Sequence, residues 1–112
     1  MTIPGGEVSG YALVVRFTTR DADSAKKFDA LVSRTLEGIR YEPGTLAYVV
    51  HVPEGEPLVR VFYELYASYD AFQIHEAQPH TQRMLSEREQ YLDGSEVTFL
   101  NELMGKRPTE TT

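Results

Sequence analysis

Leu58-Val-Arg-Val-Phe-Tyr-Glu-Leu-Tyr-Ala-Ser-Tyr-Asp-Ala-Phe-Gln-Ile-His-Glu-Ala-Gln-Pro-His80 changes its periodicity once, at Ser68. Up to Ala67 it is rich in β-branched and aromatic residues, the strongest strand signal in the chain. Ser68 is a helix cap, and Tyr69, Ala71, Phe72 and His75 follow at helical spacing. Pro79 suits the first turn of a new helical segment, so the helix bends or restarts there. That segment carries Met84, Leu85, Arg88 and Tyr91, and Asp93-Gly94 is expected to stop it.

Reading upstream, Pro53-Glu-Gly-Glu-Pro57 is a hairpin loop and a second strand runs from Thr45 to Val52. Before it, Glu42-Pro43-Gly44 breaks a helix whose apolar face is Ala25, Phe28, Leu31, Val32, Leu36 and Ile39. Asp21, Asp23 and Ser24 offer caps for that helix. Tyr11 to Thr18 is the first strand, and Glu96 to Met104 the last. The order β-α-β-β-α-β predicts an α+β, ferredoxin-like domain: a four-stranded antiparallel sheet with helices on one face. A chain of 112 residues is one domain, 1–112, with its core in 11–104 and flexible termini at 1–9 and 105–112.

Composition narrows the function. Lys plus Arg number 11 against 17 Asp plus Glu, a formal charge of −6, which makes nucleic acid and anionic lipid poor partners. The absence of cysteine removes disulfides, thiolate metal sites and cysteine nucleophiles together. No apolar run approaches the roughly 20 residues of a membrane span, and MTIPGGEVSG lacks the basic and apolar regions of a signal peptide. A small cytoplasmic protein is expected.

The strands are apolar on both faces. Tyr11, Leu13, Val15 and Phe17 alternate with Ala12 and Val14; Leu46, Tyr48, Val50 and Val52 with Ala47 and Val49. In the third strand Val59, Val61, Tyr63 and Leu65 oppose Leu58, Phe62 and Tyr66. Helices cover one face. An apolar second face is rarely left open to water, so a homodimer through the open sheet face is expected, with cover by the tails or loops as the alternative.

Three histidines are available for proton transfer: His51, His75 and His80. His75-Glu-Ala-Gln-Pro-His80 is one residue longer than the zinc-protease pattern His-Glu-x-x-His. Five steps at about 100° leave the imidazoles roughly 140° apart, so no metal site is expected. His75 shares the sheet-facing side of its helix with Ala71 and Phe72, which suits a part-buried general base. Glu64 lies mid-strand among aromatics, where an unpaired acid is costly, and is the candidate orienting partner. Its alternative is a salt bridge to Arg60 or Arg16. His80 lies in the first turn after Pro79, where the helix dipole favours a neutral, proton-accepting ring. His51 reads as a solvent-facing strand residue.

Tyr48, Phe62, Tyr66, Tyr69 and Phe72, with Asn101 as a polar group on the last strand, are the candidate substrate contacts of an aromatic-lined cavity suited to a flat ligand. No glycine-rich phosphate loop and no Gly-x-Ser-x-Gly elbow occurs, so no dinucleotide or flavin cofactor is indicated.

Tyr63-Glu64-Leu-Tyr66 followed by Ala71-Phe72-Gln-Ile-His75 and then His80 resembles the antibiotic biosynthesis monooxygenase domain, and Glu42-Pro43-Gly44-Thr45 is similar to that family's Glu-x-Gly turn. The resemblance extends from Tyr11 to Met104. It implies a dimeric α/β barrel of ferredoxin-like subunits, each with a pocket between helices and sheet. It also implies oxidation of electron-rich phenolic, quinol or anthrone-like aromatics by O2 without metal or flavin. His75 would then be the base or the substrate-orienting group, with Glu64 beside it and His80 near the entrance. The Asn, Trp and His set of haem-degrading members is missing: the chain has no Trp, and Asn101 is its only Asn. An isomerase using the same base, and a non-catalytic dimeric small-molecule-binding protein, are the alternatives. RNA binding fails on the net charge and on Glu64 in the third strand.

Overall fold

The computed structural model describes residues 10–107. The chain forms β1 (Tyr11–Thr19), α1 (Ala22–Ile39), β2 (Thr45–His51), β3 (Val59–Tyr66), α2 (Tyr69–Glu76), α3 (Pro79–Glu87), a 3-10 turn (Arg88–Tyr91) and β4 (Leu92–Asn101). The sheet order is β2-β3-β1-β4, with every neighbouring pair antiparallel. This is the ferredoxin-like arrangement, with the second helical region divided in two. The expected flexible ends, 1–9 and 105–112, lie outside the described residues except for 105–107.

Local chemistry sets the element boundaries. The Asp21 carboxylate accepts the Ser24 N–H at 2.7 Å and starts α1; that bond holds its carboxyl below the usual range. The Ser68 hydroxyl accepts the Ala71 N–H at 3.0 Å and starts α2. Pro79 opens α3, where its missing N–H costs nothing. Along α1, Ala25, Phe28, Leu31, Val32 and Ile39 are buried at three- and four-residue steps. Phe28 meets Phe17 at 5.3 Å between ring centroids, and Phe17 meets Phe62 at 4.9 Å, an edge-to-face set at the centre of the core.

The end of the second helical region differs from the sequence reading. Helix gives way at Arg88 rather than at Asp93-Gly94, and β4 occupies Leu92–Asn101 rather than Glu96 to Met104. The cause is tertiary. Tyr91 O accepts the Arg20 N–H at 3.0 Å and Leu92 O accepts the Arg20 Nε–H at 3.2 Å, which draws the chain into the sheet early. Asp93-Gly94 is absorbed by a register shift opposite Thr18/Thr19. Leu103 and Met104 lie beyond the strand and are exposed.

Register assigns the faces. Tyr11, Leu13, Val15 and Phe17 of β1 pair with Tyr66, Glu64, Phe62 and Arg60 of β3, and all face the helices. Val14, Tyr63, Val61, Val49 and Leu100 face the other way; the segment 102–107 runs beside Tyr63, Leu65 and Leu100 on that face, where Ala12 and Leu65 are buried while Val49, Tyr63 and Leu100 stay more than a third exposed. Arg60 is tied to α1 by a two-pronged contact with Asp29, at 2.8 and 3.0 Å. Among the described residues no helix is long and apolar enough to cross a membrane.

Candidate active site

A cavity of about 180 Å³ lies between the sheet and helices α2 and α3. Leu13, Val15 and Tyr48 form part of its sheet wall, and Phe72, Met84 and Leu85 part of its helical wall. Glu64, His75, Glu76, Thr81 and Arg88 are among its polar groups. The β4 side is open: Val97 and Phe99 line the cavity yet remain 48% and 52% exposed. Ligand pockets commonly run to ~300–1,000 Å³. The enclosed part here therefore suits one or two rings, with room to extend past β4.

His75 is delivered by α2 and is almost wholly buried. Its Nδ1 is 2.7 Å from Glu42 Oε1, in the turn after α1. The other oxygen of Glu42 contacts His80 Nε2 from the first turn of α3, and the Thr45 hydroxyl donates to Oε1 at 2.6 Å. An ionised carboxylate can only accept, so both imidazoles present N–H groups to it. That assigns the Nδ1–H tautomer to neutral His75 and leaves Nε2 as its proton acceptor. The ring is also packed against Tyr66 and Tyr48, at centroid distances of 5.1 and 5.8 Å.

Glu64 is a separate centre. It is buried on β3, and its Oε1 accepts the Tyr66 hydroxyl at 2.6 Å. Burial pushes its carboxyl up to about 7, against the counter-effect of the Tyr66 bond. Burial, followed by the nearby Glu64 charge, drives the Tyr66 and Tyr48 hydroxyls well above the usual tyrosine range. A carboxyl with these neighbours is poised between its acid and base forms near neutral pH.

The partner of His75 is therefore Glu42, not Glu64. Neither Arg60 nor Arg16 reaches Glu64 either; they pair with Asp29 and Glu56. His75, Glu64, Tyr48 and Phe72 are brought together at the cavity, with Tyr66 behind Glu64 and His80 behind Glu42. Phe62 is fully buried in the core beneath Tyr48, its ring centroid 5.7 Å away. Tyr69 sits exposed at an aromatic cluster with Tyr11 and Phe72. Asn101, at the end of β4, borders a depression beside Tyr63 and Leu65 instead of the cavity. His51 faces away from the helices, its Nδ1 3.3 Å from Val61 O.

Glu42, Thr81 and Arg88 are the site residues that sequence reasoning does not single out. Glu42 is 33 and 38 residues from its two histidines, so no local spacing could join them. Arg88 does carry a signal, as a cation at the same helical spacing as Met84, Leu85 and Tyr91. Among the described residues, no group of three His, Asp or Glu side chains is arranged to hold a metal ion.

The family model for antibiotic biosynthesis monooxygenase matches residues 10–86, well over half of the chain, and the chain belongs to that family. Comparison with curated proteins gives no match. Among solved structures, Rv0793 from Mycobacterium tuberculosis superposes with a TM-score of 0.81 at 25% identity, over 88% of this chain and 100% of that one. A Caulobacter crescentus protein that bears the family's name has a TM-score of 0.80 at 20% identity, over 88% and 93% of the two chains. A Nitrosomonas europaea protein bearing the same name has a TM-score of 0.77 at 17% identity, over 84% and 90%. At these last two identities the likeness is one of fold.

Proposed function

We propose that the protein is a monooxygenase acting on an electron-rich phenolic, quinol or anthrone-like aromatic with O2 and no bound cofactor. The observation that carries this reading is the buried contact between Glu42 and His75 on the wall of a small aromatic cavity. A carboxylate on Nδ1 fixes the tautomer and stabilises the imidazolium formed when Nε2 takes a proton. Tyr48, Phe72 and Phe99 supply flat apolar surface, and a phenol deprotonated there becomes an anion able to give an electron to O2. For an anthrone-type ring the methylene carbon loses two hydrogens and gains one oxygen atom. The second oxygen atom leaves with those hydrogens as water, and the carbon supplies all four electrons that O2 takes up.

The acid–base residues would serve an isomerase equally, and only oxygen consumption separates the two. The test is O2 uptake by metal-stripped protein against a panel of hydroquinones and anthrones, with His75→Ala alongside. Uptake above autoxidation, lost in folded His75→Ala, is the expected result. No uptake across the panel overturns the reading.

We further infer that the chain works as a homodimer through the open sheet face. Val49, Tyr63 and Leu100 are each more than a third exposed there, beside Val14 and Val61, even with the segment 102–107 running along Tyr63 and Leu100. Sedimentation at micromolar concentration should give twice the monomer mass, and a monomer alone would sink the inference.

A further inference from the structure

We propose that Arg88 is the anion-recognition residue of the cavity, selecting a one- or two-ring ligand that carries a carboxylate, or an equivalent enolate oxygen, beside its phenol. This rests on the reading above only in taking the cavity as the substrate site.

Most arginines of the described chain are paired: Arg16 with Glu56, Arg20 with Asp93, Arg34 with Glu87, Arg60 with Asp29 and Arg107 with Glu102. Arg40 and Arg83 are not, but both stand in water. Arg88 differs from both groups. It is part-buried, lines the cavity, and among the described residues makes no ion pair or side-chain hydrogen bond; its Nε is buried without a partner. The guanidinium lies over Phe17, 5.0 Å from the ring centroid, which holds its plane but supplies no counter-charge.

Nor do the carboxyls on the same cavity neutralise it. Neither makes a direct contact with it: Glu64, on which the Arg88 charge acts at longer range, accepts from Tyr66, and Glu76 makes no ion pair among the described residues. A second polar group is left open nearby: the hydroxyl of Thr81, a residue only 4% exposed, is buried without a partner on the same wall. Buried polar groups normally find partners, and the Arg88 Nε–H and the Thr81 hydroxyl have none among the described residues. Two such groups on one cavity wall mark where a ligand's acceptor oxygens would go. A guanidinium rather than an ammonium favours a planar, two-oxygen acceptor.

Anaerobic titration of the full chain with 1-hydroxy-2-naphthoate and with neutral 1-naphthol tests this directly. The chain has no Trp, so naphthol fluorescence can be followed without overlap from indole emission. The wild type is expected to bind the hydroxynaphthoate at least tenfold more tightly. Arg88→Met should abolish that preference and leave 1-naphthol binding within twofold, and Arg88→Lys should keep part of it. Arg88→Lys also covers the case in which Arg88→Met does not fold. Equal affinities in the wild type, equal losses for both ligands in the variants, or binding of neither ligand at millimolar concentration would overturn the proposal. Oxygen is absent throughout, so the result is separate from the monooxygenase test: selective binding with no O2 uptake removes the reaction and keeps the recognition. Uptake with no selectivity does the reverse.

Discussion

Glu42 and His75 stand 33 residues apart in sequence and 2.7 Å apart at Oε1 and Nδ1, and the second oxygen of the same carboxylate holds His80. One buried side chain thereby joins the turn after α1 to the end of α2 and the start of α3. Glu42→Gln keeps the shape but loses the charge and one acceptor. It should lower turnover about 100-fold through His75. It should also cost ~1.5–3 kcal/mol in urea denaturation, the range for hydrogen bonds to a charged group. Full activity in a folded Glu42→Gln protein would show that His75 needs no orienting carboxylate.

Gly38, near the end of α1, leaves the space that the His80 ring occupies; a Cβ there would overlap the imidazole. In a helix Gly→Ala ordinarily gains up to ~1 kcal/mol. Here Gly38→Ala should be destabilising, because His80 must leave Glu42. In a His80→Ala background the same change should become neutral or stabilising. A double-mutant cycle by chemical denaturation measures the reversal, and additive effects would refute the steric account.

The Glu64 carboxyl, raised by burial to about 7 from an ordinary 4.5, predicts a pH dependence of stability. Between those values the folded chain holds a proton that the unfolded chain has released. The contribution of Glu64 is therefore complete below pH 4.5 and declines as pH rises through 7, by roughly 3 kcal/mol. Measured at several pH values, the stability of the wild type relative to Glu64→Gln should fall across that window. A difference that does not vary with pH would contradict it.

Asp29 provides a control away from the cavity. Its contact with Arg60 joins α1 to β3, but Asp29 is half exposed and Arg60 keeps two carbonyl acceptors, Pro57 O and Val59 O. Asp29→Ala should therefore cost only ~1 kcal/mol in stability and leave turnover unchanged. A tenfold loss of turnover would mean that the α1–β3 junction reaches the cavity.

The first three strands and α1 are legible because their signals are local: alternation from Tyr11, helical spacing from Ala25, a cap at Ser68. The double-apolar strands likewise disclose an open sheet face before any coordinates. The end of α3 is not legible, because Arg20 of another element decides it, through Tyr91 and Leu92. The site divides in the same way. His75 is placed by its own helix phase, whereas its partner arrives from a distant turn. Glu64 is recognisable as a costly buried acid, but two strand neighbours compete to satisfy it. Tyr66, two residues along the same face, is the nearest donor and the one it takes.

β4 is hydrogen-bonded on one side only, and from Asp93 to Asn101 its side chains are exposed on both faces. In the single chain its side chains are less buried than those of the other three strands, so its amides should exchange soonest there, and pairing of the open faces in a dimer should slow them. Leu92 pins one end of the strand in the core and leaves the remainder to breathe. Helix α2, bolted to the α1 turn through Glu42, has no such freedom. The cavity thus lies between a wall tied down at Glu42 and an edge strand that is tied to β1 alone.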